Sequence, residues 1–175
     1  MTTTTIMSKE IVSLKADDTI ATALQLMCKH TIHNLPVLDD KGMFIGLFSL
    51  RRLSRELLPK AAKLDQSSLL MHINFMSDGT DELLKRLNKL GHKPVSDLLE
   101  KSSKLRLCSP ETSLPELLQL LFESPTSLPV VVVEGEKKKL VGMVSNWDVL
   151  TKLTVNLIGD KDIKPSAKNK KDSSS

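Results

Sequence analysis

The sequence predicts an α/β fold built from two copies of one strand, helix, strand, strand, helix unit. The first observation is an internal repeat. An apolar strand, a polar turn with glycine and a second apolar strand ending in serine occur at 34–49 and again at 127–145. The second observation is that a helical pattern precedes and follows each of these hairpins. The third is that the strands are almost continuously apolar, as strands covered by helices are.

The composition predicts a folded chain with an aliphatic core. Of the 175 residues, 40% are hydrophobic, but there is no Tyr, one Trp and only four Phe. A chain of this length forms one globular domain or two small fused ones. The formal net charge is +4, and much of the excess lies in the lysine-rich stretch 161–171. Because the remainder is nearly neutral and has few aromatic side chains for stacking on bases, we expect no nucleic-acid partner.

The cysteine count and the lack of long apolar runs bear on the compartment. Two cysteines, Cys28 and Cys108, do not make a disulfide framework, which favours a reducing environment. Residues 1–6 lack the charged start and apolar stretch of a signal peptide. The sequence has no run of about 18 apolar residues that would span a bilayer. We therefore expect a cytoplasmic protein with no membrane partner.

Helix signals flank both hairpins. Thr19–Met27 has apolar residues at helical spacing, and residues 114–121 repeat that spacing before the second hairpin. This second helix opens with the capping-box pair Ser113 and Glu116, with Pro115 in its first turn. The remaining predicted elements are the strands Ile11–Leu14 and Leu105–Cys108, a helix with Leu50, Leu53 and Leu57, and a helix with Val149, Leu150 and Leu153. Spacing alone leaves open whether the leucines of the last two helices line the core or a dimer surface.

The repeat divides the chain into four segments. We expect the first copy at 1–58, a partly helical connector at 59–93 and the second copy at 94–158. The connector contains one strong helix signal, at Asp81–Leu90. The final segment, 159–175, is rich in Lys and Ser with almost nothing apolar, so we expect it to be disordered.

The repeated unit resembles the CBS motif, and two copies in one chain resemble a CBS pair. The resemblance covers about Ile6–Leu58 and Pro94–Leu157. It implies two halves related by a pseudo-twofold axis, packed sheet to sheet, with two clefts between them. It also implies a regulatory protein that binds AMP, ADP, ATP or a related adenosyl ligand and relays a conformational change to an unidentified protein partner. CBS pairs often form homodimers through the helices after each hairpin, so we expect a homodimer.

The second copy keeps the sequence that this family uses to bind ribose: Ser or Thr, two spacers and Asp after the last strand. Here it reads Ser145-Asn146-Trp147-Asp148. The resemblance implies that Asp148 accepts both ribose hydroxyls in charge-assisted hydrogen bonds and that Ser145 donates to a phosphate or ribose oxygen. The same pair also suits a plain helix cap, and the two roles are compatible. The resemblance adds five more nucleotide contacts: Ser127, Leu128 and Pro129 beside the adenine, and Ser96 and Asp97 as another wall.

The first copy departs from this pattern. Its equivalent run is Ser49-Leu50-Arg51-Arg52, so Arg52 stands where Asp is expected. Arginine has no hydrogen-bond acceptor, which argues against ribose recognition, but it binds phosphate bidentately. The alternative is a solvated helix face on which Glu56 pairs with Arg52 at i, i+4. The possible second site consists of Ser49, Arg52 and Asn34.

Other functions have weaker support in the sequence. The chain has no G-x-S-x-G, no G-x-x-x-x-G-K-[ST] and no G-x-G-x-x-G, so we do not expect an enzyme. Cys28, His30 and His33 resemble metal-ligand spacing but lack an evident fourth ligand, so we expect no metal. The main alternative is a structural protein-interaction module with side chains filling its clefts, which Arg52 and the long connector favour.

Overall fold

The computed structural model describes residues 1–58, 79–123 and 128–159 of the chain. Part of the predicted connector, Ser127 and nearly all of the tail lie outside these ranges. The described residues form strands and helices of a mixed α/β protein, which confirms the predicted class. In chain order the elements are β1 Leu14–Lys15, α1 Ile20–His30, β2 Asn34–Leu38, β3 Phe44–Ser49, α2 Leu50–Leu57, α3 Gly79–Gly91, β4 Glu100–Lys101, β5 Leu107–Cys108, α4 Leu114–Phe122, β6 Val130–Glu134, β7 Lys139–Val144 and α5 Asn146–Ile158.

The strands form two sheets with matching topology. One sheet has the order β1-β2-β3-β4 and the other the order β5-β6-β7. In each, a short first strand lies parallel to the first strand of an antiparallel hairpin. Val37 pairs with Gly46 and Val132 pairs with Gly142, and each hairpin has its irregularity just after that valine. The internal repeat is therefore confirmed at the level of strand register.

The register shows that the prolines of the two hairpins do not occupy equivalent positions. Pro36 lies within β2 opposite Leu47, at the position equivalent to Val131. Pro129 instead precedes β6 and is equivalent to Asn34. Because proline lacks an N–H for the ladder, a position before the strand costs no hydrogen bond.

The strands that open each copy are shorter than the sequence predicts. Of the predicted strand Ile11–Leu14, only Leu14 pairs with β2. The predicted strand Leu105–Cys108 is reduced to β5, because the Leu105 N–H donates to the carbonyl of Ser102 in a single-turn 3₁₀ helix. α1 also runs on to His30, past the predicted end at Met27, with Thr19 as its N-cap.

Each half is completed by a segment from the other copy. The N-terminal arm, residues 1–8, contacts the second copy: the Thr3 N–H donates to the carbonyl of Thr112 at 2.9 Å and the Ser8 N–H to that of Met143 at 2.9 Å. In return, residues 94–101 contact the first copy, where β4 pairs with β3. The repeat pattern does not predict this exchange or β4.

Buried apolar side chains anchor both exchanged segments. One core cluster lies in the first half and includes Val95 and Leu53, and a second lies in the other half and includes Ile6. Burying one such side chain stabilises the fold by about 2 kcal/mol. A third cluster joins the two sheets through Phe44, Leu47 and Val131, which confirms sheet-to-sheet packing.

Two glycines make the exchange sterically possible. A Cβ at Gly46 would lie 2.6 Å from the backbone oxygen of Glu100 and 2.6 Å from Cγ of Leu99. A Cβ at Gly142 would lie 2.5 Å from the sulfur of Met7. The exchanged segments therefore approach both hairpins closely at a glycine, against backbone at Gly46 and against the flexible Met7 side chain at Gly142. Among the described helices, none has the length and apolar character needed to cross a membrane.

Candidate functional site

Ser145 and Asp148 form a capping box where β7 runs into α5. The Ser145 hydroxyl oxygen accepts the Asp148 N–H at 3.3 Å. Oδ2 of Asp148 accepts the Ser145 N–H at 2.7 Å and the Ser145 hydroxyl at 2.6 Å. These bonds satisfy amide groups that a helix start leaves free, so the capping role considered from sequence is observed. They also fix the carboxylate at the positive end of the helix dipole.

The N-terminal arm contacts the same carboxylate. The Ser8 hydroxyl donates to Oδ1 of Asp148 at 3.3 Å. Two backbone hydrogen bonds with Met143 hold Ser8 there. The Ser8 hydroxyl therefore occupies acceptor capacity of Oδ1 that another donor would otherwise use. Sequence reasoning missed Ser8, because only the exchange of segments brings the arm to α5.

The other residues predicted for the nucleotide site lie elsewhere or outside the described residues. The Ser96 N–H donates to the carbonyl of Ala16 at 3.3 Å, so Ser96 and Asp97 lie against the first copy. Residues 95–98 contact the first copy in the same way as the N-terminal arm contacts the second: the Val95 N–H donates to the carbonyl of Asp18, as the Thr3 N–H donates to that of Thr112. Leu128 and Pro129 line a different cleft, described below.

The possible second site has a related but altered geometry. Ser49 caps α2, and its hydroxyl oxygen accepts the Arg52 N–H at 3.1 Å. Asn34 pairs with Ser49 across the β2–β3 hairpin. The Arg52 guanidinium lies 3.8 Å from the carboxylate of Glu56, so the predicted i, i+4 pair is present but long. Nε of Arg52 is buried and has no hydrogen-bond partner among the described residues.

A cleft of about 530 Å³ opens beside the start of α2, and we call it the basic cleft. Its walls come from α2 of the first copy and from segments around β4, β5 and β6. Two of its cations are in ion pairs: Arg52 with Glu56, as described above, and Arg106 with Glu123 at 4.0 Å. Sequence reasoning missed the contribution of Lys104 and Arg106, whose proximity to α2 depends on how the sheets pack. The lining residues are Arg51, Arg52, Arg55, Glu100, Ser103, Lys104, Leu105, Arg106, Leu128 and Pro129.

The capping box of α4 offers a comparison for that of α5. Oε2 of Glu116 accepts the Ser113 N–H at 3.1 Å and the Ser113 hydroxyl at 2.9 Å, so the predicted capping box is confirmed. These hydrogen bonds, the backbone one first, lower the pKa of Glu116 below its usual 4.5. Within the described ranges, no His, Cys, Asp and Glu side chains group as a metal site requires.

An apolar face of α5 is exposed. Trp147 is 73% exposed and Leu157 84%, and Leu150 and Leu153 are also exposed. These residues recur every three or four positions, so they share one side of the helix. In α2, by contrast, Leu53 is buried in the core, although Leu50 is exposed.

The fold, with a serine-capped helix directly after each hairpin, defines a paired-repeat α/β module. The CBS domain family matches residues 4–59 and 95–155, well over half of the chain. The chain therefore belongs to the CBS-domain family, as a CBS pair.

Similar proteins include members of this family from other organisms. A CBS domain-containing protein of Dictyostelium discoideum is 25% identical over 145 residues, which are 83% of this chain and 86% of that protein. The CBS-pair protein CBSX2 from Arabidopsis thaliana is 23% identical with a TM-score of 0.65, over 89% of this chain and 96% of that one. CBSX2 in complex with AMP matches with a TM-score of 0.61 at 23% identity, over 89% of this chain and 98% of that one.

An enzyme also shares part of the sequence. Inosine-5'-monophosphate dehydrogenase of Methanocaldococcus jannaschii is 36% identical over 67 residues, which are 38% of this chain. The shared region is only 14% of that protein. So small a share does not carry the enzyme's activity to this chain.

Proposed function

We propose that this protein is a regulatory module that binds an adenine nucleotide, with the ribose at Asp148 of the second copy. The observation that carries the proposal is the position of Asp148, fixed at the start of α5 and within reach of the N-terminal arm. A ribose diol needs an anionic acceptor, and one carboxylate accepts both hydroxyls in charge-assisted bonds. The AMP complex of CBSX2, which has the same fold, supports an adenosine ligand.

The arm provides a route from ligand binding to a change in structure. A ribose that binds Oδ1 of Asp148 competes with the Ser8 hydroxyl, which already donates there. Releasing Ser8 loosens the arm at its connection to β7. Ligand binding would then shift the arm's equilibrium by the difference in affinity between the two states, and a protein partner would respond to that shift.

The test compares two variants that each break one capping box. Asp148→Ala removes the carboxylate of the α5 capping box and the proposed ribose acceptor, whereas Glu116→Ala removes only the carboxylate of the α4 capping box. Each variant leaves the N-cap serine in place and removes its reciprocal acceptor, so both should unfold at a lower temperature than the wild type. AMP at 100 times its dissociation constant should stabilise the wild type by about 2.7 kcal/mol, or roughly 5–10 °C. We expect Glu116→Ala to keep this shift and Asp148→Ala to lose it; loss in both variants would contradict the proposal.

We also propose that the exposed face of α5 is covered by a second copy of the chain. Trp147, Leu150, Leu153 and Leu157 form a continuous apolar stripe over three turns. A monomer seldom leaves such a contiguous face in water. CBS pairs commonly dimerise through the helices after their hairpins, and α5 is one of them.

A structural interaction module without a ligand is the second candidate. Both oxygens of Asp148 already accept protein hydrogen bonds, and Arg52 replaces the acceptor of the first copy. This candidate predicts no change in unfolding temperature with AMP, ADP, ATP, NAD or S-adenosylmethionine. A shift with any one of them that Asp148→Ala abolishes would rule it out.

A further inference from the structure

We propose that the basic cleft binds a polyphosphate anion through its phosphate groups, without recognising a nucleoside. The cleft lies beside the start of α2 in the first copy and is lined in part by Arg52. The proposal does not depend on nucleotide binding at Asp148. Inorganic polyphosphate and the phosphate chain of a larger metabolite share this chemistry.

The charge of the lining is the first argument. The lining contains one carboxylate, that of Glu100, and five cations: Arg51, Arg52, Arg55, Lys104 and Arg106. Two of the five have a partner, since Arg52 lies near Glu56 and Arg106 near Glu123. Within the part of the chain that the structure describes, the other three form no ion pair with a carboxylate. Like charges held together repel, and an anion with several charges removes that cost.

The position of Arg52 is the second argument. Its Nε is buried without a hydrogen-bond partner in the described residues, and its guanidinium is as far as 3.8 Å from Glu56. A buried donor without a partner destabilises a protein. A phosphate oxygen at this edge of the guanidinium would satisfy Nε, and arginine presents parallel donors that fit phosphate.

The shape and walls of the cleft favour a ligand larger than one phosphate. Its volume of about 530 Å³ is within the range of roughly 300–1,000 Å³ usual for small-molecule sites. Leu105, Leu128 and Pro129 line one side, and apolar walls strengthen charge interactions by excluding water. The cations come from both copies, so a bound polyphosphate would join the two halves.

Arg52, which stands where the family's motif has Asp, accounts for the proposed preference for phosphate over ribose. Arg52 donates but cannot accept, so it cannot take the hydroxyl protons of a ribose as an aspartate does. Glu100, in β4, is the single carboxylate in the lining. We therefore expect phosphate groups to determine affinity in this cleft, and adenosine to add nothing.

The experiment is isothermal titration of the full chain with sodium tripolyphosphate. The test variant, Arg51→Gln/Arg55→Gln, removes two cations from the cleft. The control, Lys41→Gln/Lys137→Gln, removes the same charge from the two exposed hairpin turns. We expect binding in the wild type, an affinity at least about tenfold lower in the test variant, and less than a twofold change in the control.

Two competition arms identify what is recognised. Adenosine at millimolar concentration should not displace tripolyphosphate, whereas ATP should displace it through its phosphates. Displacement by adenosine, equal losses in the test and control variants, or no binding of tripolyphosphate would overturn the proposal. Because the nucleotide proposal is tested with AMP and Asp148→Ala, either proposal can fail without the other.

Discussion

The hydroxyl of Ser8 donates to Oδ1 of Asp148 at 3.3 Å, although 140 residues separate them in the chain. The bond ties the N-terminal arm to the start of the last helix. It follows from the exchange of segments, in which each copy supplies the strand or arm that borders the other copy's hairpin. The proposed ligand site of the second copy is therefore built from the N-terminal arm and the start of α5.

Ser8→Ala tests whether the arm competes with a ligand. The exposed hydrogen bond contributes about 1 kcal/mol or less to stability, so the variant should fold normally. Without the serine hydroxyl, Oδ1 is free for ribose, and we expect AMP to bind a few-fold more tightly by isothermal titration. A loss of affinity as large as that of Asp148→Ala would instead make Ser8 a direct ligand contact.

Replacing glycine by alanine tests the close approach of the exchanged segments. The methyl group of Gly46→Ala would lie 2.6 Å from a backbone oxygen, so this variant should lower the free energy of unfolding by about 3 kcal/mol. The methyl group of Gly142→Ala would meet the flexible Met7 side chain, so this variant should lower it by only about 1 kcal/mol. The control is Gly91→Ala, where the nearest atom, Cβ of Ala21, is at 3.7 Å; helix propensity predicts a gain of about 0.5 kcal/mol. Urea unfolding measures all three, and equal effects at Gly46 and Gly91 would refute the assigned contacts.

The lowered pKa of Glu116 predicts a pH-dependent contribution to stability. Because hydrogen bonds from Ser113 hold the folded pKa below the usual 4.5, the stabilisation is present above that value and is lost as pH falls through the folded pKa. Glu116→Gln should be less stable than the wild type at neutral pH, and the difference should shrink in acid. Chemical unfolding across pH 3–7, with Glu136→Gln in the β6–β7 turn as control, measures this. A difference independent of pH would contradict the capping role of the carboxylate.

A charged residue on α5 tests the proposed dimer. The wild type should elute in light-scattering chromatography at about twice the chain mass of 19.4 kDa. Leu150→Glu places a charge at the centre of the exposed stripe and should give a monomer with unchanged unfolding, because the side chain is half-exposed in the single chain. The matched control is Leu118→Glu, an exposed leucine on α4, which should leave the dimer intact. A monomeric wild type would contradict the proposal.

Local signals predicted the repeat and the helix starts well. Ser113 with Glu116 and Ser145 with Asp148 are three residues apart, so their bonds form within one helical turn whatever the rest of the chain does. The hairpins were predictable for the same reason, since neighbouring strands and their turn are adjacent in sequence. The ends of the first strand of each copy and the end of α1 needed correction.

The exchange of segments lies beyond such local patterns. β4 consists of Glu100 and Lys101, two charged residues without the alternation that marks a strand. It pairs with β3 where Gly46 leaves space for a second partner strand beside β2. The basic cleft could not be predicted from the sequence either, because Arg52 and Lys104 line the same cleft only once the two sheets have packed together.

The central claim is that Asp148 accepts the ribose hydroxyls of a nucleotide. The most direct test is a thermodynamic cycle by isothermal titration, using wild type and Asp148→Ala, each with AMP and with the dideoxy analogue that lacks both ribose hydroxyls. We predict that the wild type prefers AMP by about tenfold or more, that the variant binds both ligands equally, and that the coupling free energy is at least about 1.4 kcal/mol. Equal binding of the two ligands by the wild type, or the same preference in both proteins, would contradict the claim.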